Sequence, residues 1–481
     1  MSEYITVIGI EVHLQLSTKT KAFCSCPNLF GAPPNTLTCP ICLGHPGTLP
    51  VPNKKVIEYA IASALALNCT INANTRYDRK NYFYPDLPKG FQISQYNIPL
   101  AEKGFLEFYA GDDWSHPTRW GITRVHLEED TAKIIHTDDG ALLDFNRAGV
   151  PLMEIVSEPM VSSPPEAYYY LRALKATMLT LGVSTCNMEE GSLRCDTNIS
   201  VGRKGEGLGT KVEIKNLNSF RAVRLALEYE RDRQVEILSN GGEVVQETRL
   251  WNEKIGITEP MRGKEETADY RYFPEPDIPP IVIDKKWINE IENNMPSLPI
   301  ERMNTLKVAG VGIQEATTIV ERPDLYAYFD ECLKYHDNKR SLVNWIIGEL
   351  NAIAQKKGID YSDIPVRPKH LAELVRTVDE GKVGASAGKE VLLKMWETGK
   401  SPDELISEMG VERISDEDTI RTIINEVVGE NPEVVASILK GKDKAIGRLI
   451  GEVMRKSGGS ADPGIVKKLL SEKIEKMKEV N

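Results

Sequence analysis

At 481 residues the chain is too long for a single core and should divide into about two to four domains. Hydrophobic residues make up 41% and charged residues 27%, the balance of a soluble globular protein, and no apolar run reaches the roughly 18 residues that a membrane span needs. A net charge of −11 argues against a general polyanion binder, and eight cysteines, four of them close together, do not make a secreted disulfide framework.

The opening "MSEYITVIGIEVH" lacks the basic region of a signal peptide and passes straight into a strand pattern, so a cytoplasmic protein is expected. In "ITVIGIEVHLQL", Ile8, Ile10, Val12, Leu14 and Leu16 share one face and Glu11, His13 and Gln15 the other. A carboxylate and an imidazole two apart on a strand suit a divalent cation, with Mg²⁺ preferring oxygen ligands, water and phosphate. On spacing alone, a hydrogen-bonded surface pair fits equally well.

Next comes "FCSCPNLFGAPPNTLTCPICLG", which holds Cys24, Cys26, Cys39 and Cys42 as Cys-x-Cys, twelve residues, Cys-x-x-Cys. Two thiol pairs on turn-rich loops fit tetrahedral zinc, and four thiolates leave no open position, so the site is structural. A zinc deaminase would need His-x-Glu with Pro-Cys-x-x-Cys, which "TCPIC" does not supply.

Acidic residues then recur at strand positions. "VHLEED" follows the strand "WGITR", and alternation sets Glu128 with Arg124 and His126 on one face, Glu129 with Val125 and Leu127 on the other. Glu154 lies within "VPLMEIV", Asp196 in "GSLRCDTNIS" and Glu213 in "TKVEIKN". A carboxylate among Leu, Met, Ile and Val is costly to bury without a cation or a basic group. The stretch "GEGLGTKV" has its Thr and Lys in the wrong order for a P-loop, and no dinucleotide fingerprint is present. Nucleotide binding would therefore use strands, carboxylate-held Mg²⁺ and basic residues such as Arg79, Lys80 and Lys89.

"SSPPEAYYYLRALKATMLTLG" reads as a helix with Pro at its start and Gly182 at its end. From about residue 294 the texture turns helical, as in "RSLVNWIIGELNAIAQKKG". Ser401-Pro402-Asp403-Glu404 and Ser415-Asp416-Glu417-Asp418 look like helix starts, and "RKSGGSADPG" like a loop between the final two helices. Residues 431–481 carry eleven Lys and Arg against seven Asp and Glu, leaving −15 for residues 1–430. A basic tail on an acidic body points to a nucleic acid or an acidic partner, or to a lysine-rich helical surface.

"VIGIEVHLQL", "DRKNYFYPDLPKGFQISQY", "ITRVHLEEDTAK", "DFNRAGVPLMEIVSEP", "MEEGSLRCDTNIS", "KVEIKNLNSF" and "DYRYFPEPDIPP" together resemble the GatB family, the B-type subunits of the aspartyl/glutamyl-tRNA amidotransferases. The related archaeal GatE proteins share these motifs but carry a large inserted domain for which this chain has no room. The resemblance implies an α/β (α+β) cradle-shaped catalytic domain with a mixed or antiparallel sheet over 1–293. An all-α helical domain over 294–406 and a small all-α tail domain over 407–481 that contacts tRNA would follow.

It also implies the reaction. ATP phosphorylates the side-chain carboxylate of Glu or Asp misacylated on tRNA, and ammonia from a separate amidase (glutaminase) subunit then displaces phosphate. A small third subunit would complete a heterotrimer, and the matching aminoacyl-tRNA synthetase is a further partner. By resemblance, Glu11, His13, Glu128 and Glu154 are the Mg²⁺ set, Glu129 a channel-side acid and Lys89 a residue near the inner end of the ammonia route. Asp196 and Glu213 would be further metal or nucleotide ligands. The four cysteines match those family members that carry zinc, and Asp130 is expected to be a solvated bystander. A different class of protein, a non-catalytic zinc-stapled tRNA-binding scaffold, would share the tail and the zinc. It would not suit buried acids, which repel phosphates unless they carry metal.

Overall fold

Period-two alternation in the first strand decides the architecture of the N-terminal part. Tyr4–Gln15 runs for 12 residues, and Ile8, Ile10, Val12 and Leu14 on one side are buried. The computed structural model describes residues 3–261, 269–413, 416–439, 445–457 and 461–480. It forms two compact units, Met1–Asn304 and Thr305–Asn481.

In the first unit, Tyr4–Gln15 lies at the middle of a ten-stranded sheet. To one side follow Leu193–Arg203, Val212–Lys215, Glu247–Asn252 and Ile257–Pro260; to the other follow Pro151–Ser157, Thr118–Glu129, Ala101–Phe108 and Thr70–Ile71, and the short tenth strand Met160–Val161 also pairs with Tyr4–Gln15. Pairing is antiparallel except between Val212–Lys215 and Glu247–Asn252, which makes the sheet mixed.

The apolar face is covered by helices Pro164–Thr180 and Phe220–Ser239, whose Tyr170, Leu171, Leu174, Val223 and Leu227 join Ile8, Ile10 and Val12 in one core. The first of these helices begins as its sequence predicts. Ser163 and Glu166 form a reciprocal capping box ahead of Pro164, and Gly182 takes the left-handed φ of 66° just past the end. Glu230 ties the second helix to the sheet edge: it is fully buried, meets Arg233 at 2.6 Å and accepts from Thr258 Oγ1 at 2.8 Å.

A three-stranded sheet of Phe273–Pro274, Asp78–Asn81 and Phe91–Ser94 stands against the end of Thr118–Glu129. With both layers in place, the polar face of the large sheet looks toward a second, smaller sheet.

The second unit is helical. "RSLVNWIIGELNAIAQKKG" forms a continuous helical stretch from Lys339 to Lys357, π-helical over Trp345–Leu350 and closed by Gly358 in the left-handed region. Ser401 caps Pro402–Met409 in a capping box with Glu404. Asp416 caps Glu417–Glu430, while Ser415 and residues 458–460 of the expected loop lie outside the described residues. Helices from Glu417 onward have an apolar core of their own, including Ile420, Ile424, Val427, Leu449, Val453 and Leu469. Among the described residues no helix is long and apolar enough to cross a membrane.

Candidate active site

Three adjacent strands bring the site together through their register. His13 stands opposite Glu154, and Glu154 opposite His126. Across these strands, His13 Nε2 lies 3.3 Å from Glu154 Oε2, and His126 Nε2 lies 3.1 Å from the same oxygen and 3.3 Å from Glu128 Oε1. The small sheet completes the setting: Ser94 Oγ donates to Glu128 Oε1 at 2.6 Å and Gln92 Nε2 to Glu128 Oε2 at 3.1 Å. One ligand atom from each of His13, Glu128 and Glu154 falls within 4.8 Å of the others. Two carboxylate oxygens and an imidazole at that spacing fit a divalent cation that keeps other positions for water or phosphate.

The electrostatics show what the cluster lacks by itself. Burial alone would push the His126 imidazolium down, but Glu154 and Glu128 outweigh it and raise it to about 9. Burial opposes charge on Glu154 as well, yet His126 and His13 hold its carboxyl well below the usual range. The histidines thus supply compensating positive charge, and a bound cation would displace their protons.

Glu11 is two residues from His13 on the same face and accepts from Asn198 Nδ2 at 3.0 Å. Burial, followed by the charge of Glu154, raises its carboxyl above the ordinary value. It flanks the converging trio on the side of Asp196, its register partner in Leu193–Arg203. There Lys215 Nζ bridges Asp196 Oδ2 at 3.2 Å and Glu213 Oε1 at 3.0 Å. Arg79 points elsewhere: its guanidinium is held by Glu275 at 2.7 Å and Asp277 at 3.1 Å. Lys80 Nζ sits 4.8 Å from the Tyr270 ring.

On the opposite face of the Thr118–Glu129 strand, Glu129 forms an ion pair with Lys89 and accepts from the Ile93 amide at 2.9 Å. Both line a cavity of about 170 Å³ together with Phe91, Cys24, Cys42 and Gly149. Asp130 is not a solvated end. It is buried, accepting from Arg194 Nη2 at 2.8 Å and Gln15 Nε2 at 2.9 Å.

The Sγ atoms of Cys24, Cys26, Cys39 and Cys42 lie within 4.8 Å of one another, which fits one tetrahedral ion. Its neighbour Cys24, with the Lys21 ammonium 3.7 Å away, holds the Cys42 thiol below its ordinary value. The loop between the pairs is tied down by Asn146, which accepts from the Leu37 amide at 2.7 Å and donates to the Pro33 carbonyl at 2.7 Å.

Sequence reading assigned no role to His126, Ser94, Gln92 or Lys215. His126 and Lys215 each share a strand face with an acid that was singled out, Glu128 and Glu213, and that parity was the available signal. Ser94 and Gln92 gave none, because their partner is more than thirty residues away.

Fold and site together define a GatB/GatE-type catalytic domain with a helical extension. The family model described as the GatB/GatE catalytic domain matches residues 6–289, and that described as the GatB domain matches residues 327–474. The chain belongs to the GatB family, the B-type subunits of aspartyl/glutamyl-tRNA(Asn/Gln) amidotransferase. It is 48% identical over 477 residues to the family member of Thermoanaerobacter pseudethanolicus, covering 98% of this chain and 100% of that protein. It is 49% identical over 473 residues to that of Persephonella marina, covering 98% and 99%, and 45% identical over 484 residues to that of Carboxydothermus hydrogenoformans, covering 99% and 100%.

The corrected role of Asp130 is open to measurement. A solvated residue could be replaced at no cost, whereas Asp130→Ala is expected to destabilise the fold by about 1–3 kcal/mol, because Arg194 and Gln15 lose their acceptor. Chemical denaturation of the variant reads this difference, and an unchanged midpoint would return Asp130 to the surface.

Proposed function

We propose that this chain performs the tRNA-dependent half of an ATP-driven amidation. A side-chain carboxylate oxygen of Glu or Asp, misacylated on tRNA(Gln) or tRNA(Asn), attacks the γ-phosphorus of ATP and ADP leaves. The nitrogen of ammonia then attacks the acyl carbon, phosphate leaves with the C–O bond electrons, and loss of a proton gives the amide. The convergence of His13, Glu128 and Glu154, in a chain of this family, carries the reading.

These three residues with Glu11 would hold Mg²⁺, which when bound offsets the charge of ATP and carboxylate as they approach. The chain's own groups do the positioning. Ser94 and Gln92 fix both oxygens of Glu128, Asn198 orients Glu11, and His126 balances charge between Glu128 and Glu154. Lys80, Asp196 and Glu213 form the surrounding nucleotide-binding set in this reading, while Arg79, held by Glu275 and Asp277, fastens the 269–277 segment instead. Lys89 and Glu129 border the route by which ammonia arrives from the amidase partner, with a small third protein joining the two in a heterotrimer. The misacylated tRNA and its synthetase are the remaining partners, and the cytoplasm is the site of action.

The assembled complex is expected to form Gln-tRNA or Asn-tRNA from the misacylated tRNA, ATP and an ammonium salt. Glu128→Ala and Glu154→Ala should each lower that rate by at least about 100-fold, the scale of losing a metal-ligand contact. Wild-type rates in either variant would sink the assignment.

In the same reading the four cysteines hold a structural zinc. Elemental analysis should find one zinc per chain, lost in a Cys24→Ser, Cys39→Ser double variant that melts at lower temperature. A metal-free wild-type protein of full stability would rule zinc out.

We further assign 1–293 to the catalytic domain, 294–406 to a helical connector and 407–481 to a tail that grips the tRNA body. Deleting 407–481 is expected to weaken tRNA binding without altering the affinity for ATP, as measured by filter binding and calorimetry. Equal tRNA affinity in the truncated complex contradicts the tail assignment.

A further inference from the structure

The motif "DYRYFPEPD", residues 269–277, has no part in the chemistry above, yet the fold fastens it with care. Phe273–Pro274 pairs with Asp78 and Arg79, and Arg79 is clamped by Glu275. The Asn81 amide donates to the Tyr270 carbonyl at 2.9 Å and Asn81 Nδ2 to the Arg271 carbonyl at 2.8 Å. Arg271 itself has a φ of 44°, a left-handed conformation that a residue with a Cβ keeps only when its surroundings enforce it.

This fastening sets two tyrosines on the face of the small sheet that looks toward Glu128. Gln92 and Ser94 reach Glu128 from that face, and the same alternation carries Lys80 and Tyr82 on the neighbouring strand. Tyr96 and Tyr272 stack in parallel, with ring centroids 4.1 Å apart and planes within 6°. Tyr270 lies edge-on to both Tyr82 and Tyr272, under the ammonium of Lys80.

Tyr96 is held in place before any ligand arrives: its amide donates at 2.9 Å to Asp78, whose side chain is fully buried. Nevertheless 48% of Tyr96 is open to solvent. Ser94, two residues earlier, touches Glu128, so the stack begins within about 7 Å of chain from the carboxylate cluster. Tyr272 is near enough that, after burial, the charge of Glu128 raises its phenol above the ordinary value. A half-open stacked aromatic pair beside a cation is the arrangement by which proteins hold unpaired bases.

We propose that Tyr96 and Tyr272, with Lys80 over the adjoining Tyr270, form a platform on which a purine nucleobase stacks next to the His13–Glu128–Glu154 cluster. The proposal rests on the reading that nucleotides are substrates here. Adenine reaches the site from two sources, ATP and the 3′-terminal nucleotide of tRNA, and both present the same ring.

The test uses the assembled complex carrying Tyr96→Leu, Tyr272→Leu or Tyr96→Phe, with the unfolding midpoint recorded for each. Calorimetry measures binding of ADP and of an RNA stem ending in CCA, and ammonia-driven amidation gives KM for ATP and for the misacylated tRNA. Leu keeps the apolar bulk but not the ring, so each Leu variant should weaken one ligand ~10- to 100-fold, the worth of one stacked base, with kcat little changed. Tyr96→Phe should bind as the wild type does. A loss confined to ADP and ATP assigns the platform to the nucleotide, and one confined to the RNA stem and tRNA assigns it to the acceptor end. Wild-type affinities for both ligands in folded Leu variants overturn the proposal, as does a Phe variant that loses as much as Leu. A wild-type complex that fails to amidate but binds adenine in a Tyr96-dependent way would overturn the reaction and leave the platform standing.

Discussion

The register of Tyr4–Gln15 against its neighbours is the constraint on which the site depends. His13 faces Glu154 only in this pairing, and Glu154 in turn faces His126 of Thr118–Glu129 on its other side. A slip of one residue would turn the whole polar row into the core and bring Val12 to the surface. Ile8, Ile10, Val12, Leu14 and Leu16 forbid the slip, since all five are almost fully buried. The Ile10 amide adds a pin of its own, donating to Ser157 Oγ at 2.9 Å where the neighbouring strand bulges. The hydrophobic face thus fixes the geometry of the polar one.

That polar face then faces an electrostatic problem, because carboxylates half-removed from water repel one another. The fold answers with cations for most of these acids, His13 and His126 for Glu154, Arg194 for Asp130, Lys215 for Asp196 and Glu213, while Glu11 is met by the Asn198 amide. The pairs differ in kind. Guanidinium and ammonium groups keep their protons through the neutral range, whereas imidazoles can release theirs to an incoming metal ion. A divalent cation arriving here would therefore exchange for protons at the trio that converges, while the outlying pairs would stay salt-bridged.

Local patterns were legible in the sequence. Alternation announced the first strand, thiol spacing announced the cysteine centre, and a glutamate among aliphatic residues announced that Glu154 was not merely solvated. What failed was anything set by distant chain. Asp130 looked like the wet end of an acidic run because its partners, Arg194 and Gln15, are 64 and 115 residues away. His126 stood in plain view, but alternation says only which residues share a face, not which face carries the site. Tyr96 and Tyr272 meet from segments that no local pattern connects.

Arg79 and Lys80 show how far parity can sharpen such a reading. As adjacent cations on a short strand they look equivalent, and both were natural candidates for phosphate. Adjacent strand residues leave opposite faces, however, and the two faces have different work. On one, Arg79 lies 4.0 Å from the Phe91 ring and is held by Glu275 and Asp277, which fasten the 269–277 segment to the small sheet. On the other, Lys80 overlooks the tyrosines and contributes positive charge toward Glu128. A guanidinium in a bidentate carboxylate clamp has few donors left for a ligand, while an ammonium packed only on aromatic rings keeps its hydrogen bonds to give. In this arrangement Arg79 supports the platform, and Lys80 is the cation turned toward whatever occupies it.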